Sequence, residues 1–307
     1  MANSEKKPTM KKVAAGDVIF NILNYTVFLI YTILCIYPFY YLIINSISNN
    51  DMSANGLVNF IPHGIHLQNY KDVMKLKGIG SAMLVSVGRT VIGTVCTVLA
   101  SAFMGFIFTQ PKLWKKKLLY RFVVITMYFN AGLIPMFLTM KTFHLTNTFW
   151  VYIIPAIINP FDIIMMKTYL ESSPRSLEEA AEVDGASILT IFTRVILPTS
   201  TPILATLAIW AAVGQWNAFQ DTLLYVTDQN LYSLQYLLYT YINQANSLAS
   251  VLKNSGNVMS IANLATRQTP TSIRMTVSVV VVLPILFIYP MFQKYFVKGI
   301  MIGAVKG

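Results

Sequence analysis

Long apolar runs decide what this chain can become. Six of them lie near Val18–Ile44, Met83–Phe108, Leu118–Leu138, Phe149–Met166, Thr199–Phe219 and Ile273–Phe292. A hydrocarbon core ~30 Å thick takes about 20 apolar residues of helix to cross. Helix is the form expected for such runs, because an unpaired backbone group in lipid costs several kcal/mol and no strand-like alternation is visible. The expected fold is all-α: a polytopic membrane protein of six transmembrane helices over residues 18–296, with a leading segment 1–17 and a tail 297–307. Two longer loops, 49–82 and 220–272, connect helices on one side. The run after Lys6, Lys7, Lys11 and Lys12 resembles a signal peptide in charge only. It is too long and lacks a small-residue cleavage site, so it is expected to stay attached.

Composition excludes other classes. The chain is 55% hydrophobic and only 11% charged, against ~25% charged in an ordinary soluble domain. A net charge of +11 could suggest nucleic acid, but the basic residues flank apolar runs instead of gathering on a polar module. Fifteen of the 23 fall on one side when both termini are inside: Lys6 to Lys12, Lys112 to Arg121, Lys167, Arg175, Arg194 and the tail lysines. The positive-inside rule therefore puts both termini in the cytoplasm and the longer loops outside.

Few residues suggest chemistry. No Gly-x-x-x-x-Gly-Lys-Ser/Thr phosphate loop occurs, so ATP is not expected to bind here by that device. Cys35 and Cys96 read as small apolar residues within spans. His63 and His66 are too few to hold a metal. Asp221 and Asp228 on the outer loop make a poor constellation for an enzyme acting on lipid-linked sugars. Inside the membrane, Asp162 reads better as solvated at the interface or paired with Lys167 than as a proton relay, because no second relay group accompanies it. Trp210, Gln215, Trp216 and Asn217 cluster near the outer end of the fifth run. Trp often anchors at an interface, but indole and amide also suit sugar rings, so these four are the substrate-pathway candidates. In the outer loop, Tyr232, Tyr236, Tyr239 and Tyr241 could face a sugar, while Leu234, Leu237 and Leu238 are spaced for packing.

The loop 171–198 carries the strongest motif. Ser176-Leu177-Glu178-Glu179 fits a capping box, which would start a helix near Leu177. That helix should be short, because Gly185 suits a left-handed C-terminal position. Ala180 and Ala181 should leave a slim face for another protein's backbone, and Glu178, Glu182 and Asp184 an acidic surface for a basic protein partner. Glu179-Ala180-Ala181, three residues, Gly185, nine residues, then Val195-x-Leu197-Pro198 resembles the coupling loop of ABC-importer permeases.

Further stretches narrow the resemblance. Trp216-Asn217-x-Phe219 and the ending Lys298-Gly299-Ile300-Met301-Ile302-Gly303-Ala304-Val305-Lys306-Gly307 are similar to the carbohydrate group of type I importer permeases. Phe129-Asn130-Ala131-Gly132 and Asn147-Thr148-Phe149 resemble its lipoprotein-associated oligosaccharide branch. The resemblance implies a type I ABC importer permease fold carrying an oligosaccharide. It also implies a second homologous permease, two ATP-binding subunits that hold ATP and Mg, and an extracellular solute-binding lipoprotein. This chain would bind no cofactor or metal and catalyse nothing itself. ATPase coupling would fall to Glu179, Ala180, Ala181, Asp184, Gly185, Leu197 and Pro198, and the tail Gly303, Ala304, Val305, Lys306 and Gly307 would enter the ATPase interface. A gradient-driven secondary transporter is the alternative, but paired broken helices and intramembrane ionisable groups are not evident.

Overall fold

The computed structural model describes residues 15–76, 78–255 and 269–299. Its longer helices are α1 (Ala15–Ile47), α4 (Ile79–Ile107), α7 (Pro160–Ser172), α11 (Thr201–Asn217), α13 (Leu234–Ser255) and α14 (Pro270–Gly299). Shorter ones are α2 (Asn50–Ala54), α3 (Gln68–Lys75), α5 (Lys116–Thr126), α6 (Leu133–Thr142), α8 (Ser176–Val183), α9 (Ile188–Ile191), α10 (Leu197–Thr199) and α12 (Gln220–Tyr225). No strand occurs among the described residues.

The all-α polytopic architecture is as expected, with crossings less continuous than six straight helices. Among the described residues, two single helices, Gly16–Ile47 and Ile79–Ile107, are long and apolar enough to cross a bilayer. Phe149–Ala156 with Pro160–Ser172, bent by 44°, and Ile188–Thr199 with Thr201–Asn217, bent by 83°, bring the number to four if each pair is one crossing. The third apolar run is broken between α5 and α6. Gly132 there has φ +85°, and its N–H donates to Asn130 Oδ1 at 2.9 Å, so a local turn interrupts the helix.

α4 is the central post, packing on α7, α11 and α13. Small residues allow close approach, as in membrane helix pairs generally. A Cβ on Gly105 would lie 2.7 Å from Met166 Cβ, and one on Gly93 would lie 2.8 Å from Gln215 Nε2. Around the α8 end of this post, Ala102, Phe106, Met166, Leu170, Phe192 and Leu207 form one buried cluster. At the opposite end, Ile79, Trp216, Leu234, Leu238 and Val277 belong to another. The loop leucines Leu234 and Leu238 thus pack as their spacing indicates, while Phe219 stacks on Tyr239 at 4.8 Å and Tyr232 meets Tyr236 edge-on at 4.7 Å.

Candidate functional site

The loop after α7 builds an exposed helix on a buried base. The capping box does not form. Arg175, at φ −78° and ψ −11°, already has helical geometry, with no side-chain cap bond, and Ser176 is the first residue inside α8. The Glu179 N–H is taken by the Arg175 carbonyl at 3.0 Å, so the Ser176 hydroxyl has no cap role. The helix end is as read: Gly185 has φ +78°. Gly185 N–H donates to Glu182 O at 3.1 Å and Ala186 N–H to Ala181 O at 3.0 Å, the paired bonds of a Schellman termination. Ser187 then accepts from the Thr190 N–H at 3.3 Å and starts the next helical run, a cap the sequence reading missed.

The surface of α8 is divided. Glu179, Ala180, Asp184 and Gly185 are exposed, and Val183 is 88% exposed. Ala181 instead packs against the buried cluster below, with Leu197, so the two alanines do not share one free face. Two of the acids are engaged within the chain. Glu178 accepts from Gln110 Nε2 at 3.4 Å and Glu182 pairs with Lys112 at 3.6 Å. The acidic surface left open is Glu179 and Asp184. Beyond it, residues Phe192–Ile196 form a π-helical turn, a local widening often placed at functional sites. Pro198 follows in α10, exposed, and the chain turns through 83° into α11. The tail residues 303–307 lie outside the described residues.

Farther along the bundle is a cavity of about 560 Å³ whose wall includes Arg89, Asp162, Trp210, Gln215, Asp221 and Tyr225. Arg89 is 2% exposed in the middle of α4. Its Nε donates to Gln215 Oε1 at 3.1 Å and its Nη2 to the same oxygen at 3.0 Å. Nη1 reaches Ala218 O at 3.3 Å and Asp221 Oδ1 at 3.1 Å, and Nη2 closes a second bond to Asp221 Oδ2. The guanidinium carbon lies 4.3 Å from the Tyr152 ring centroid. Gln215 Nε2 donates in turn to Tyr152 O at 3.1 Å. Such a fork to a carboxylate is the strong form of a charge-assisted bond, and a fully partnered buried network rigidifies its surroundings. Burial, then the Asp221 charge, pushes the Tyr225 phenol above its usual value, keeping it a neutral hydroxyl.

The pathway candidates separate. Trp210 and Gln215 line the cavity, with Trp210 beside Phe161 at 5.5 Å between ring centroids. Trp216 is turned away: it is buried, and its Nε1–H donates to Val281 O at 2.9 Å. Asn217 is exposed and outside the cavity wall. Asp162 is not paired with Lys167. It is 3% exposed at the first turn of α7, and Lys167 pairs with Glu171 at 2.7 Å. Arg89 is not among the site candidates read from the sequence. Its signal was available, as an arginine well inside an apolar run marks a functional position by default.

Comparison with known proteins gives the same architecture. The family described as "Binding-protein-dependent transport system inner membrane component" matches residues 97–302. The chain is 34% identical over 289 residues to the polygalacturonan/rhamnogalacturonan transport system permease protein YtcP of Bacillus subtilis (strain 168), covering 94% of this chain and 99% of that one. It is 36% identical over 272 residues to protein LplC of the same organism, covering 89% and 90%. Among solved structures, a chain from a bacterial ABC transporter that imports the acidic polysaccharide alginate superimposes with a TM-score of 0.82. The identity there is 28%, covering 94% of this chain and all of that one. This chain therefore belongs to the binding-protein-dependent transport system inner membrane components, the multi-pass permeases of bacterial ABC importers.

Proposed function

We propose that the chain forms one half of the translocation pathway of an ATP-driven oligosaccharide importer. It pairs with a second, homologous permease, meets two ATP-binding subunits through α8, and receives its cargo from an extracellular solute-binding lipoprotein. The observation that carries this reading is the exposed α8 surface, ended by Gly185 and seated on the cluster that joins α4, α7 and α11. A short helix on such a base passes a rigid displacement from a partner into the bundle, the kind of motion that alternating access needs. The saccharide cargo rests on the relatives, whose names carry glycans, and on Trp210 and Gln215 in the cavity wall, which offer a ring face and an amide to a sugar. In this arrangement α8 and both termini face the cytoplasm, and the tail 303–307 reaches the ATPase dimer, where ATP and Mg are held.

A thiol at Ala180→Cys tests the coupling contact. In the assembled complex a short bifunctional reagent is expected to join it to an ATPase subunit, whereas Ala181→Cys, turned into the base, should react poorly. Efficient reaction of both thiols with lipid-side reagents, with no ATPase adduct from either, would refute the coupling role. Thiols at Ser4 and after Gly307 should stay unlabelled by an impermeant reagent in intact cells.

A further inference from the structure

The charges facing the cavity are not balanced. Arg89 has five N–H donors, and five bonds engage them, to Gln215, Ala218 and Asp221. Its charge is matched by Asp221 and its ring-side face is covered by Tyr152. The one cation among the described residues of the cavity wall thus has no donor left for a ligand. Asp162 borders the same space. Among the described residues no cation forms a salt bridge with it, and no hydrogen-bond donor is found at its carboxylate. Its neighbour Asn159 has its side-chain oxygen occupied by the Phe161 N–H at 3.0 Å. One cation therefore stands against two carboxylates, and the unmatched charge is negative.

We propose that Asp162 is a specificity-determining residue, giving this wall an electronegative character that favours neutral or ammonium-bearing oligosaccharides over uronic ones, a preference opposite to the acidic glycans that name two of its relatives. The proposal rests on the pathway reading above. Sugar hydroxyls can donate to the free carboxylate while their C–H faces lie on Trp210 and Phe161, and a sugar ammonium can pair with it. A uronate entering the same space loses hydration, meets like charge and finds the guanidinium already engaged.

Charged thiol reagents read the field directly. The chain's two cysteines, Cys35 and Cys96, are replaced by Ser, and Trp210→Cys is introduced in the membrane-assembled complex. It is then reacted with a cationic trimethylammonium and an anionic sulfonate methanethiosulfonate, each rate being normalised to free cysteine. The cationic reagent is expected to react faster by at least about tenfold, the scale on which a focused field in a cleft changes encounter rates. Asp162→Asn should bring the ratio close to one. Equal rates in the Trp210→Cys protein, or a ratio that Asp162→Asn leaves unchanged, would overturn the charge assignment. Modification by neither reagent would instead overturn the pathway reading, because the cavity would not open to water. Should Trp210→Cys fail to assemble with the partner permease, Tyr225→Cys places the thiol on the same wall.

Discussion

Gly185 offers a substitution series in which one physical cause can be isolated. Its φ is +78°, and a Cβ built on it would meet no atom within 4 Å. A side chain there has room, so whatever a substitution does comes from the backbone. For an ordinary L residue the left-handed conformation costs ~1–2 kcal/mol, while Asn visits it more readily. One to two kcal/mol is a factor of about 5–30 in a local equilibrium. That is enough to empty the closed helix terminus, in which the Gly185 and Ala186 N–H groups hold the last carbonyls of α8, yet too little to unfold the bundle. The assay measures three quantities: the amount of assembled permease pair in the membrane, the ATPase retained on purification, and the initial rate of sugar uptake. Gly185→Ala and Gly185→Val are expected to assemble normally while losing ATPase retention and most uptake, with Gly185→Asn close to wild type. Wild-type uptake by Gly185→Val with its ATPases bound would refute the coupling role of the loop. Impairment of Gly185→Asn equal to that of Gly185→Val would refute the backbone argument alone.

Three other expectations come from the same geometry. Glu179 makes no capping bond, so Glu179→Ala should leave thermal stability unchanged; a loss of uptake in that stable complex would mark a contact with the partner, and unchanged uptake would remove Glu179 from the coupling surface. Arg89→Gln strands Asp221 and should cost about 3–5 kcal/mol, as breaking buried pairs does. Adding Asp221→Asn should recover part of that loss in detergent melting curves, and a double variant no more stable than Arg89→Gln would argue against the pair. Trp216→Phe should lose about 1 kcal/mol with its hydrogen bond and keep its uptake, whereas Trp210→Ala should lower uptake in a complex of normal stability.

The parts of this fold legible in the sequence are those that a single residue or a local run must satisfy. Burial in lipid writes itself into composition over twenty residues at a time, so the apolar runs and their helical state could be read directly. The positive φ at Gly185 was readable because few residues other than glycine settle there. The capping box was not, since whether Arg175 joins the helix depends on how the chain leaves α7. The interruption in the third run was masked by its apolar neighbours, although Asn130-Ala131-Gly132 held the turn chemistry. Arg89 itself was legible as an arginine inside an apolar run, but its partners were not: they lie 126 and 132 residues away, and no local pattern announces a bond of that range. Trp216 and Asn217 follow Gln215 in α11, but successive helical residues point in different directions, so adjacency in sequence overstated their common role.

The close contacts of α4 have a mechanical consequence. At one end Phe106 sits in the cluster beneath α8, and seventeen residues earlier Arg89 grips α11 and α12, a separation of roughly 26 Å along a helix. Gly93 and Gly105, where neighbouring helices leave no room for a methyl group, keep this length from sliding against α7 or α11. Under the proposed coupling, α4 would act as a lever arm: a tilt of about 10° would swing one end relative to the other by roughly 4–5 Å over that length. A push of a few ångströms at α8 would then displace the Arg89 end by a comparable distance with no helix unwinding, and the stroke would be shortened more by a flexible α4 than by a weaker grip on an ATPase partner.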